Sequence, residues 1–154
     1  MAHDLKQIQR RMLEDVWGAG RVETLELVCD ENYVAHDPLT GDADIDALED
    51  NVRMVRAAFP DLMPTILAAI AEGDTVCTRW RMDGTHESPI LGIPATGKRL
   101  SVEGITISKF RGGKIRESFV QWNALSFLQQ LGVVRGLDAL TRSRAGEAEA
   151  QPHA

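Results

Sequence analysis

Apolar positions along the chain change their spacing near the middle. In the first half, Leu5, Ile8, Met12, Leu13, Val16 and Trp17 recur every three or four residues, which is one face of a helix. Gly18 and Gly20 interrupt that stripe. A shorter stripe of Val22, Leu25, Val28 and Cys29 predicts a second helix ending near Asp30. Tyr33 to Pro38 reads as a short extended piece, because a residue before proline avoids helical backbone. Leu39 to Asp44 reads as a polar loop. Ile45, Leu48, Val52, Val55 and Phe59 form the clearest stripe; Asp42 or Asp44 caps its start and Pro60 stops it.

Beyond Pro60 the pattern becomes that of strands: Met63–Ile70, Thr75–Met82 running on to about His86, Arg99–Phe110, and Ile115–Trp122. Glu72-Gly73-Asp74 and Arg111-Gly112-Gly113-Lys114 are turns, and Leu91–Lys98 is a loop. Asn123 caps a short last helix over 124–131, which Gly132 ends. Helices followed by hairpin-linked strands predict an α+β fold, an antiparallel sheet with helices on one face. A strongly curved sheet under helices leaves a pocket on its concave side. Alternation along the strands sorts the faces. Trp80, Met82, His86, Thr106, Ser118, Val120 and Trp122 share the pocket face, while Arg79, Glu103 and Glu117 fall outside.

Composition narrows the class. The chain has 154 residues, 44% of them hydrophobic and 26% charged, enough for one domain with a real core. That domain is placed at residues 1–135; residues 136–154, rich in Ala, Glu, Arg and Gly, have little to bury and are expected to be disordered. A net charge of −6 argues against nucleic acid and anionic membrane as partners. No run approaches the roughly 20 apolar residues of a membrane span, and the first eleven residues lack an apolar signal core, so a cytoplasmic protein is expected. Cys29 and Cys77 have no CxxC spacing and are expected as buried free thiols. No G-x-S-x-G elbow, phosphate-binding glycine loop or metal-ligand spacing occurs, so neither metal nor cofactor is expected.

Several segments taken in order resemble one family. They are Tyr33-Val34-Ala35-His36-Asp37-Pro38, Phe59-Pro60-Asp61-Leu62, Glu72-Gly73-Asp74, Gly84-Thr85-His86, Leu91-Gly92-Ile93-Pro94-Ala95-Thr96-Gly97-Lys98, Gly113-Lys114-Ile115-Arg116-Glu117 and Leu128-Gln129-Gln130-Leu131-Gly132. Together, over roughly residues 5 to 133, they resemble the SnoaL-like polyketide cyclase (ester cyclase) family. The resemblance implies the cone-shaped, nuclear-transport-factor-like fold, which ketosteroid isomerase and limonene epoxide hydrolase share. It also implies ring closure by an intramolecular aldol reaction without metal or cofactor, with an aspartate on the last strand moving protons.

The last strand of relatives commonly reads Glu-His-Trp-Asp, then two residues and another Asp. Here it reads Glu117-Ser118-Phe119-Val120-Gln121-Trp122-Asn123, so Val120 and Asn123 stand at the acidic positions and neither titrates. Proton transfer is therefore assigned to two histidines. His36 precedes Asp37-Pro38, where the resemblance puts a histidine at the cone's inner edge, and His86 sits at a strand end by the pocket. The structural alternative for His36 is a His–Asp pair that fixes a loop. Trp80 and Trp122 are expected to stack on a planar ligand, with Met82, Thr106, Ser118, Val120 and Asn123 completing its contacts.

The expected activity is that of a cyclase or isomerase (lyase or isomerase class) acting on a polyketide-like, apolar carbonyl substrate. A hydrolase or lyase using held water, and a non-catalytic small-molecule-binding protein of the same fold, stay open. Assembly into a homodimer or homotetramer is expected through the convex face, where Val76, Arg79 and Arg81 suggest a mixed interface.

Overall fold

The computed structural model describes residues 4–135, so the expected tail over 136–154 lies outside the described residues. Helix α1 (Leu5–Arg11) starts where the Asp4 side chain accepts the Gln7 N–H. It runs directly into a π-helical segment, Met12–Gly18, in which Ala19 N–H reaches back five residues to the Glu14 carbonyl. The wider turn shifts the phase of the stripe, so that neighbouring Met12 and Leu13 are both buried together with Val16. The short α2 (Thr24–Val28) follows. Helix α3 (Ile45–Ala58) is capped by Asp44, which accepts the Ala47 N–H, and stops before Pro60. Arg56 on α3 donates to the Trp17 and Gly18 carbonyls at 2.9 and 2.6 Å, clamping the end of the π segment. Helix α4 (Ala124–Gln130) starts at Asn123.

Six strands form one sheet: β1 (Cys29–Asp37), β2 (Gly41–Ala43), β3 (Met63–Glu72), β4 (Thr75–Thr85), β5 (Arg99–Arg111) and β6 (Lys114–Trp122). Their order is β2-β1-β6-β5-β4-β3, antiparallel throughout except for the parallel pair β1–β6. The sequence pattern finds the four hairpin strands and reads β1 only as a short extended piece. The reason is visible in β1 itself, where only Cys29, Tyr33 and Ala35 are buried among exposed and half-buried polar residues. Its partner, β6, comes some eighty residues later, so no local turn announces the pairing. Register shifts interrupt β1–β6, β3–β4 and β5–β6, and such irregularities bend a sheet. The result is the cone expected from the resemblance.

Two apolar clusters fill the cone. One gathers Met12, Val16, Leu25, Val28, Tyr33, Val52, Val76 and Ile115; the other gathers Ala58, Phe59, Leu62, Leu100, Phe127 and Leu131. Val76 thus belongs to the inner face and is fully buried, because its parity on β4 is that of Thr78 and Trp80. It is not part of the convex surface expected for it. Cys77, one residue on, faces the convex side and is only half-buried, whereas Cys29 is buried and its thiol is pushed up to about 12 by desolvation. No helix among the described residues is long and apolar enough to cross a membrane.

Candidate functional site

A cavity of about 190 Å3 opens between the two clusters. Met12, Leu13 and Trp17 of the π segment, Leu48 and Val55 of α3, Phe127 of α4 and the concave face of the sheet enclose it. Alternation groups Trp80, Met82, His86, Thr106, Ser118, Val120 and Trp122 on one face, and the structure places all of them but His86 in the cavity wall. Gly104 lets the two tryptophans lie there. A Cβ at that position would stand 2.7 Å from the Trp122 Cβ and closer still to the Trp80 ring.

Most polar groups of the wall are tied to one another. Trp80 Nε1–H donates to Thr106 Oγ1 at 2.9 Å. The Ser118 and Ser108 hydroxyls are paired at 3.0 Å, and the Tyr33 phenol lies close to Ser118. Burial raises the Tyr33 pKa, so the phenol stays protonated. Trp122 Nε1–H donates to Asp37 Oδ2 at 3.0 Å, while Asp37 Oδ1 accepts the N–H groups of Leu39 and Thr40 at 2.8 and 3.0 Å. Asp37 is the one carboxylate among the cavity-lining residues. It sits on β1 beside Ala35, and the turn that Pro38 begins folds two backbone donors over it.

Three assigned residues stand elsewhere. His36 lies between Ala35 and Asp37, both in the cavity wall, so strand alternation turns its ring to the outer face. There its Nδ1 meets Asp42 Oδ1 at 2.7 Å, its Nε2 meets Glu117 Oε2 at 2.9 Å, and its ring stacks on Phe119. The hydrogen bond to Glu117, then that to Asp42, raises its pKa above the ordinary 6.5. The histidine is paired with carboxylates, as the structural alternative held, but with Asp42 and Glu117 and not with Asp37.

His86 is fully buried and stacked on Phe59 at 5.4 Å, outside the cavity lining. Its Nδ1 accepts the Thr96 N–H at 3.2 Å and faces the Thr96 hydroxyl at 3.0 Å, which ties the β4–β5 loop to the end of β4. Asn123 does not reach the cavity either; its side chain accepts the Ser126 N–H and caps α4. No group of three or more His, Cys, Asp or Glu side chains among the described residues is placed to hold a metal ion.

Gln9 and Asp37 are wall residues that sequence reasoning missed. For Gln9 the available signal was a polar residue inside the α1 stripe, four residues after Leu5 and four before Leu13. For Asp37 it was the parity of β1, once that segment is recognised as a strand.

The profile of the SnoaL-like polyketide cyclase family matches residues 7–131. No curated protein matches the chain. Among solved structures, a candidate polyketide cyclase from Acidithiobacillus ferrooxidans is 30% identical, with a TM-score of 0.75, over 85% of this chain and 97% of that one. IdmH, a candidate polyketide cyclase from Streptomyces antibioticus, is 26% identical with a TM-score of 0.75, over 85% and 100% of the two chains. AclR, a candidate hydroxylase from Streptomyces galilaeus, is 22% identical with a TM-score of 0.76, over 85% and 97%, and is similar in fold alone.

Proposed function

Because the chain belongs to the SnoaL-like polyketide cyclase family, we propose that it is a cofactor-independent acid/base catalyst of ring closure or isomerisation on an apolar carbonyl substrate. Asp37 carries the proton in this reading. The observation behind it is that Asp37 is the one carboxylate in the wall of an otherwise apolar cavity. An aldol closure needs a base to take a proton from the carbon next to a carbonyl. The carbanion formed then attacks a second carbonyl of the same molecule, and the alkoxide regains a proton. One positioned carboxyl group can serve both transfers, and folding the substrate in a shaped cavity supplies the orientation. The Trp122 N–H holds the Asp37 carboxylate from one side and the backbone donors from the other, which fixes its direction. Trp80 and Trp122 offer flat apolar surface to a planar substrate. His36 and His86, which the sequence pointed to as proton carriers, are structural groups in this reading: an outer brace and a loop anchor.

The test uses 1-tetralone in D2O, with exchange of its α-protons for deuterium followed by NMR. The protein is expected to accelerate exchange, and Asp37→Asn to lower the acceleration on the order of 100-fold or more while 1-tetralone still binds. His36→Asn is expected to exchange like the unaltered protein. Undiminished exchange in Asp37→Asn, with loss in His36→Asn or His86→Asn, would return the chemistry to the imidazoles. Binding of 1-tetralone with no acceleration by the unaltered protein would favour the small-molecule binder.

The reading extends to assembly. A row across the convex face joins Ile70, Cys77, Ile107 and Phe119 through cross-strand pairs, and Ile105 stands beside it. Ile70, Ile105, Ile107 and Phe119 are all exposed, flanked by the Arg79–Glu103 pair and by Lys109 over the Phe119 ring. A second copy of this chain, turned about a two-fold axis, would set apolar against apolar and opposite charges together at this face.

A further inference from the structure

Gln9 is the buried polar residue of α1 and is only 3% exposed, at a helix position otherwise suited to leucine or methionine. Its side chain lines the cavity, and among the described residues nothing donates to its buried Oε1. The rest of the wall differs. Trp80 is satisfied by Thr106, Trp122 by Asp37, and Ser118 by Ser108. The sheet side of the cavity is therefore largely closed on itself; on the helix side Asn51 of α3 also lines the cavity but is half-buried, whereas Gln9 is the fully buried amide with an orphan oxygen. A buried acceptor without a partner is costly, and such orphans in a ligand cavity mark where a ligand completes the bonding.

We propose that Gln9 is a specificity-determining anchor for a hydroxyl group, enolic or phenolic, on an otherwise apolar ligand. The inference rests on the cavity being a ligand site and is independent of which residue carries the proton. A carboxamide both accepts and donates, so a hydroxyl satisfies it in either orientation of the amide. A carbonyl can meet only its N–H2 end and a methyl group meets neither. The remaining wall offers an aromatic hydroxy compound mostly apolar contact, with Ser118 already engaged by Ser108.

The test compares two probes of similar size, 1-naphthol and 1-methylnaphthalene, by fluorescence titration. The unaltered protein is expected to prefer 1-naphthol by about tenfold. Gln9→Met, which keeps length and removes the amide, is expected to bind both and to lose that preference. It is also expected to melt at a higher temperature without ligand, since the orphan acceptor is gone. Gln9→Leu provides a second apolar variant with the same expectations.

Equal binding of the two probes by the unaltered protein would overturn the anchor while leaving the cavity as a ligand site. A preference that survives both substitutions would do the same. So would a lowered melting temperature in both variants, since that would make Gln9 a structural residue. Binding of neither probe by the unaltered protein would overturn the anchor and the ligand-site reading together. Loss of proton exchange in Asp37→Asn is a separate readout, so the two ideas fail separately.

Discussion

At the scale of single residues, Gly104 shapes the cavity and His36 braces the sheet outside it. Gly104 is required by the close approach of Trp80 and Trp122, so Gly104→Ala is expected to destabilise the fold by about 2 kcal/mol or more, read from denaturant unfolding. The effect of His36 has a definite sign. Its pKa is raised in the folded protein, so the stability it adds is fully present below about pH 6.5 and is lost as pH rises through the higher folded value. The protein is expected to lose more melting temperature between about pH 5.5 and about pH 9 than His36→Gln does. Identical pH profiles for the two would contradict the ion-pair role. Single residues were also where the sequence was least legible. Alternation alone placed Trp80, Met82, Thr106, Ser118, Val120 and Trp122 correctly on one face, because those strands are long and regular, and failed for His86 in the same group, which lies one residue past the end of β4. It failed for His36 because β1 was read as an extended piece whose faces were not assigned, although one residue of parity separates an outer imidazole from the inner Asp37 carboxylate.

At the scale of elements, the chain's local signals were strongest where turn chemistry and period agreed. Asp44 and Pro60 bound α3, and Gly112-Gly113 closes the β5–β6 hairpin with both residues at positive φ. They were weakest where tertiary partners decide the conformation, as in β1, or where the helix widens at Met12–Gly18. The β4–β5 loop carries the one non-glycine residue at positive φ among the described residues, Leu91 at 50°. It forms a two-residue turn with Gly92, closed by hydrogen bonds between Ile90 and Ile93, and its half-exposed side chain lines the cavity. Left-handed backbone is unfavourable for leucine and well tolerated by asparagine. Leu91→Asn is therefore expected to raise stability by about 1 kcal/mol and to weaken 1-methylnaphthalene binding through loss of apolar contact. Calorimetry and fluorescence titration read the two effects. A stabilised variant with unchanged affinity would mean that Leu91 contributes nothing to the ligand.

At the scale of the whole molecule, the cone leaves one face apolar inside and another partly apolar outside. The fold was legible because ordered turns, strands and a proline-stopped helix recur through residues 5 to 133, and the family profile covers 7–131 of the same span. The convex row was less legible, since Val76 was counted on it although it is fully buried on the inner face. A double substitution, Ile107→Glu with Phe119→Glu, is expected to convert a two-fold assembly into monomers in sedimentation analysis while leaving the cavity intact. Unchanged sedimentation would remove this face as the contact. The central claim is that the cavity receives an apolar carbonyl compound at Asp37, and a crystal structure with 1-tetralone bound tests it most directly. The account predicts the rings between Trp80 and Trp122, with the α-carbon turned to the Asp37 carboxylate. A ligand seated outside the cone, or one inside it with its reactive carbon turned away from Asp37 toward another titratable group, would contradict it.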